Sequence, residues 1–565
     1  IEPFDREGFF GVVSVDGTYS DLRKETTPTI SAIFSNRWKI DSGEFGLLGS
    51  FSRSELKSLF NGYQSGMITP VPVGSVSGDL YPDIDVEDFT GDLIPTVGQT
   101  VGIVNGFQLR ATEVDRERSN VYLAGQFKSS DESFKVTVKY VKVDNEVLDI
   151  ERTTEWQDGG VAFALTTADS NIIASDVSLT PFTSSGVPRC GNGAVAGQDE
   201  NGNDLSQGFC SQLVPIDGGL FEEGLISSNE SSWYGAPGAQ VGNLGIGRRT
   251  ETTTDDLSVN IEWNVDEQWY VEFDAHHTTS ELTRRDQWIG ATTHLDFRTR
   301  PNLDDPEIEF SYNDGFGFNQ DFILDAGNNV VPASDAAGSP RSSSDPANYF
   351  MGYAADDYRD GNGDSTAVKI DATYDFNPDG DDWFQSVKFG VRRAEREQIY
   401  QEAGLNWQGV SQAWAGGIAR YNAFDTVAHE VYDFSNFQRG GVVVGDNTGI
   451  VFAHSDFLAN PDLFYDFLAT EPDLNTGTDP NNTRTGDYGP SSNGRRDANY
   501  NEIYTDGQTA NVNEVVTNLY ARFDIAHDLD NGMLLEGNFG VRYVKMDINS
   551  IGSFQYSEFS EDQQQ

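Results

Sequence analysis

Residues 365–397 decide the fold: STAVKIDATYDF (365–376), then NPDGDD (377–382), then WFQSVKFGVRRAERE (383–397). In the first run Val368, Ile370, Ala372 and Tyr374 alternate with Lys369, Asp371 and Thr373. In the second, Val387, Phe389 and Val391 alternate with Lys388, Gly390 and Arg392. A period of two is that of a β-strand, and the Asn-Pro-Asp-Gly cluster between the runs is turn chemistry. Each run is about ten residues, the length a tilted barrel strand needs to cross a membrane.

The same hairpin recurs outward from this stretch. ISAIFSNRW (30–38) passes through KIDSGE into FGLLGSFSRSEL, and NVYLAGQF (120–127) through KSSDES into FKVTVKYVKV. Leu257, Val259, Ile261 and Trp263 lead through NVDEQ into WYVEFDAHHT, and Leu519, Ala521, Phe523 and Ile525 lead through HDLDNG into MLLEGNFGVRYVKMD. A single strand, FFGVVSVDGTY, precedes the first hairpin. The reading is all-β and antiparallel, with eleven strands near 9–19, 30–38, 45–56, 118–127, 134–143, 253–263, 269–280, 366–376, 383–397, 515–527 and 533–547. Turns within hairpins are short. The intervals between hairpins, 57–104, 144–252, 281–364 and 398–514, are long and read as loops. Alternation of short turns with long loops is the habit of outer-membrane barrels, whose long loops lie outside the cell. Trp38, Trp263, Trp269 and Trp383 all sit at the mouths of short turns, where an interfacial aromatic girdle belongs.

Composition sets bounds on this reading. The 565 residues carry a net charge of −53, which argues against a nucleic-acid partner, because phosphate binding needs a basic face. Mean hydropathy is −0.48 and no apolar run approaches the roughly 18 residues of a membrane helix, a limit that leaves a barrel open. The two cysteines, Cys190 and Cys210, lie close together in a Gly/Asn/Asp-rich stretch and suit a local disulfide in an oxidising compartment.

Some of these residues resemble a known family. GEFGLLGSFSRSE (43–55), SVKFGVRRAERE (386–397) and LLEGNFGVRYVKMD (534–547) resemble the strands of TonB-dependent outer-membrane receptors, in the large subfamily of Caulobacter, Xanthomonas and marine relatives. PFDREGFFGVVSVDGTYSDL (3–22) is similar to that family's entry into its first barrel strand. The resemblance implies a 22-stranded barrel, of which this chain supplies about the first eleven strands. It also implies a plug and a short N-terminal box outside this chain, through which an inner-membrane TonB complex drives uptake. Outer-membrane lipid and lipopolysaccharide, and a surface lipoprotein, are the further partners it implies.

Catalytic patterns such as HExxH, GxSxG, the P-loop and CxxC are absent, so no enzyme activity, catalytic residue or organic cofactor is expected. Alternation assigns Lys135, Lys139, Glu272, Asp274, Asp371, Lys388, Arg392, Glu536, Asn538 and Arg542 to a pore-facing set that would meet a plug or line a path. Trp288, Trp407 and Trp414, with Tyr400 and Tyr421, lie in or beside the long intervals and are the ligand-binding candidates, since an aromatic face stacks on a sugar ring. The competing role for such rings is the loops' own small cores. Asp360, Asn362 and Asp364 mimic the start of a calcium loop, a weak metal candidate because Ser365 stands where the loop needs Gly.

The expected function is therefore TonB-dependent uptake of a bulky, scarce nutrient across the bacterial outer membrane. Oligosaccharide is the first choice of solute and a siderophore or cobalamin-type chelate the second. The alternatives are a passive outer-membrane porin and a secreted calcium-dependent glycan-binding β protein.

Overall fold

The computed structural model describes residues 1–66, 68–74, 85–104, 106–157, 172–190, 210–228, 239–311, 322–324, 330–332, 342–376, 383–411, 421–424, 427–470, 504–528 and 533–552. The alternating runs form eleven long strands: β1 (Phe10–Ser20), β2 (Glu25–Ile40), β3 (Gly43–Ser65), β4 (Gly106–Ser129), β5 (Phe134–Gln157), β6 (Ala239–Asn264), β7 (Trp269–Arg300), β8 (Phe350–Asp375), β9 (Phe384–Glu402), β10 (Thr509–Asp528) and β11 (Leu534–Ile551). Each pairs antiparallel with the next, so the sheet is an uninterrupted meander. Among the described residues β1 pairs only with β2 and β11 only with β10, which leaves the sheet open at both edges.

Register aligns the alternation across strands. One face carries Trp263, Val271, Ala372, Phe389, Ala521 and Val541 in a single row, and Ile261, Phe273, Ile370, Val391, Leu519 and Tyr543 in the next. This apolar face is bare near the short turns: Val15, Phe34, Leu123, Ile370, Phe389, Leu519 and Val541 are all exposed. Trp38, Trp263 and Trp383 are exposed at its lower margin, and Trp269 packs on Tyr374 with ring centroids 4.8 Å apart. The rows run from Trp269 to about His277, some 20 Å of height at a barrel strand's tilt, close to the ~25 Å apolar band of membrane barrels.

The strands are longer at the loop end than the sequence suggested, and this corrects the intervals read as loops. β3 runs on to Ser65, β5 to Gln157 and β7 to Arg300, while β6 begins at Ala239 and β8 at Phe350. Backbone groups continue the ladder because each needs a partner. The side chains there no longer alternate apolar with polar, so the pattern that betrays a strand is lost.

The dry core lies at this loop end. Short strands (Ile68–Pro72, Thr100–Val104, Ile172–Thr180, Leu220–Ser228, Glu307–Ser311) and a hairpin of His429–Asp433 with Gly449–Ala453 join two helices, α1 (Ser455–Ala459) and α2 (Pro461–Thr470), in a cap. Phe107, Leu109, Trp156, Val241, Ile289, Phe297, Phe310, Phe452, Phe457 and Phe464 are buried within it. The cap folds over the upper part of the apolar face. Arg152 reaches Glu430 at 2.6 Å, and a Cβ on Gly247 would stand 1.8 Å from the Leu458 carbonyl oxygen, so α1 lies directly on β6 there. Among the described residues, no helix is long and apolar enough to cross a membrane.

Candidate ligand site on the charged face

The opposite face of the sheet carries the charges. Lys135 pairs with Glu262 (3.1 Å), and Lys369 stands between Glu272 (3.7 Å), Asp274 (3.4 Å) and Asp371 (2.9 Å). Asp371 is 2 % exposed and also meets Lys388 (3.3 Å) and the Tyr520 hydroxyl, which donates to it at 2.6 Å. Arg542 donates to Asn518 (2.9 Å), and register puts Arg392 between Lys369 and Asn518. Glu536 and Asn538 share this face on the edge strand β11, where both are exposed. The residues assigned to a pore-facing set thus lie on one face, and four of them, Glu272, Asp274, Asp371 and Lys388, meet in one network around Lys369. Tyr520 belongs to the same network, and the apolar-face Leu519 and Ala521 on either side were the signal that could have placed it.

The N-terminal residues lie on this face too. Lys139 holds Glu2 at 2.6 Å, the Phe4 N–H donates to Gln126 Oε1 (2.9 Å), and the Arg37 guanidinium sits 4.7 Å over the Phe4 ring.

Toward the cap, the charged face ends in aromatics. Trp288 and Trp407 flank Ala355 in one register row, both half-buried, and Tyr353 packs on Trp407 with centroids 5.9 Å apart. Just below them lie two guanidinium–carboxylate pairs, Arg284–Asp286 (2.6 Å) and Arg359–Asp357 (2.7 Å), with Glu402 2.9 Å from Arg359. Burial pushes the Asp357 carboxyl up, against the pull of Arg359, and burial raises Glu155 as well. A half-buried pair of indoles beside carboxylates and guanidiniums is the equipment for a polyhydroxylated ring: faces to stack on, and charged groups to take hydroxyl hydrogen bonds. Tyr353, Asp286, Asp357 and Glu155 were missed in the sequence because they fall within stretches read as loop.

Of the other candidates, Tyr400 borders the site: it is on the charged face of β9 in register with Gly361, one row below the Arg359–Glu402 pair and close enough to act on the charges of Arg284 and Arg359, but well below the tryptophans. Tyr421 is buried in the cap against Phe424 and His429, and burial raises its phenol, so it serves the loops' own core and cannot stack on a ligand. Trp414 lies outside the described residues. Asp360, Asn362 and Asp364 are not a calcium loop: they sit within β8, where an extended backbone spaces their side chains along one face instead of converging them. Asp360 takes a hydrogen bond from Arg285 (2.9 Å) and Asp364 lies 3.7 Å from His277. Among the described residues, no three His, Cys, Asp or Glu side chains are grouped to hold a metal ion. Cys190 and Cys210 are direct partners in the hairpin of Ser184–Cys190 and Cys210–Ile216, the backbone arrangement a local disulfide needs.

No protein-family model matches this chain, and no curated protein matches it.

Proposed function

We propose that the chain spans the bacterial outer membrane as barrel strands and belongs to a TonB-dependent transporter for a bulky, scarce nutrient, with an oligosaccharide as its ligand. The observation that carries the membrane part is the bare apolar band. Eleven strands at about 4.8 Å spacing and some 20 Å of height make it on the order of 1,000 Å², more than a soluble monomer leaves open to water. Lipid covers such a face without cost, and the tryptophans at its lower margin suit the membrane interface. Trp288 and Trp407, on either side of Ala355 at the cap end of the charged face, support the ligand class. Energy coupling through a plug and a box, and a partner lipoprotein, follow the family that the strand motifs resemble. The paired cysteines would close a disulfide, in keeping with an oxidising compartment.

Fractionation tests the first part: the chain should sediment with outer membranes and leave them only with detergent, and release by carbonate or salt alone overturns the reading. Uptake tests the second. Cells producing the chain from its own gene should accumulate a labelled oligosaccharide, stop when a protonophore is added, and lose most uptake with Trp288→Ala plus Trp407→Ala. Uptake that survives the protonophore indicates a porin instead.

A further inference from the structure

Two carboxylates lie side by side beneath the tryptophans. Register sets Asp286 of β7 directly opposite Asp357 of β8, on the charged face, one row below the row of Trp288, Ala355 and Trp407. The two residues are 1 % and 4 % exposed, and like charges so placed repel each other unless each is held. Each is held by the arginine two residues along its own strand. Arg284 donates three hydrogen bonds to Asp286, at 3.0, 3.1 and 2.6 Å. Arg359 donates two to Asp357, at 3.0 and 2.7 Å, and also meets Glu402 at 2.9 Å. The next guanidinium, Arg248 on β6, lies 3.6 Å from the buried Glu151, which shares the tryptophan row through Ile246.

These three guanidiniums are therefore taken by the protein's own acids. The group left open is an acceptor. Arg359 donates both of its bonds to Asp357 Oδ2, while Asp357 Oδ1 is buried and, among the described residues, accepts no hydrogen bond. A buried acceptor without a donor destabilises the free protein, and a ligand donor that reaches it recovers that loss.

We infer that Asp357, with Asp286 beside it, selects the charge of the saccharide: a neutral ring whose hydroxyl donates to Asp357 Oδ1, to the exclusion of uronate and sulfated rings. The inference rests on the oligosaccharide reading above and adds the class of sugar and the residue that chooses it. A neutral ring brings donors to a place that lacks only a donor. An acidic ring brings one more anion beside Asp286, Asp357 and Glu402, where no guanidinium is free to receive it and the low dielectric strengthens the repulsion. Asp357 Oδ1 is closed to water in the free protein, so the incoming ring must push a neighbouring side chain aside as it stacks.

The test uses the whole chain in mild detergent, titrated calorimetrically with two sets of hexasaccharides. One set is neutral, of α- and β-linked glucose, mannose, galactose and xylose; the other is acidic, of galacturonate and mannuronate. A neutral hexamer should bind and neither acidic one should. Asp357→Asn should bind that neutral hexamer about tenfold or more weakly, the scale of a hydrogen bond to a charged acceptor. With Asp286→Asn added, Arg284 and Arg359 lose these carboxylates and an acidic hexamer should begin to bind. Trp288→Ala with Trp407→Ala should lose the neutral hexamer, which places the binding here. An acidic hexamer bound by wild type as tightly as the neutral one, or a neutral hexamer bound unchanged by Asp357→Asn, overturns the inference and leaves the oligosaccharide reading standing. Binding of no hexamer, or binding indifferent to the two tryptophans, overturns that reading at this site and the inference with it. The wild-type panel alone decides the charge preference, so a variant that fails to fold does not shield it.

Discussion

Gly390 shows how much of the sheet can depend on one missing Cβ. A methyl there would stand 2.1 Å from Asp371 Oδ1 and 2.7 Å from the Tyr520 ring. The bare backbone is what lets Tyr520 lean across β9 to donate to Asp371 on β8. This gives the glycine of SVKFGVRR a physical reason that its sequence context did not disclose, since alternation says only which face a residue takes. Gly390→Ala should cost about 1–3 kcal/mol by overpacking. Most of that cost should vanish in an Asp371→Ala background, which removes the closer of the two clashes. Additive penalties in chemical unfolding would show that the glycine matters for some other reason.

At the scale of the element, the strands were legible wherever one face is apolar. From Val387 to Val391, or Phe134 to Tyr140, every second residue is hydrophobic and the register follows. Legibility ends where both faces become polar, at Arg393, Lys142 and Asp255, although the ladders continue for many more residues. The assignment of faces is open to a paired test on β11. Val541 is 76 % exposed in an apolar row, and Asn538 faces the other way. Val541→Arg should cost about 2–4 kcal/mol of folding into lipid if the residue lies near mid-bilayer, and Asn538→Arg far less. Similar penalties for the two in a lipid-refolding titration would contradict the faces drawn here.

Across the whole molecule, the cap was the illegible part. Its core draws on residues from Val71 to Leu468, with no period to connect them, and packs aromatic residues such as Tyr421 that in sequence look like ligand contacts. The pairing of Trp288 with Trp407 was likewise hidden, because it needs the register through Ala355. The cap also carries a pH dependence. Burial, reinforced by the charge of His454, holds His429 below its ordinary value against a smaller opposing pull from Asp345. A depressed value means the folded cap prefers the neutral ring. The stability this contributes is present above the unfolded value of about 6.5 and is lost as pH falls through the folded one. Limited proteolysis of 427–470 should therefore quicken from pH 7.5 to pH 5, and His429→Asn should flatten that rise. An unchanged slope in the variant would place the sensitivity elsewhere.

The seating of α1 on Gly247 has a mechanical consequence. Because the cap overhangs the same side of the sheet that is bare below, it forms a shoulder wider than the wall beneath it. In a bilayer such a shoulder is a stop: the protein can sink only until the shoulder rests on the surface. A thicker membrane must then thin around the wall, since the wall has no further depth to offer it.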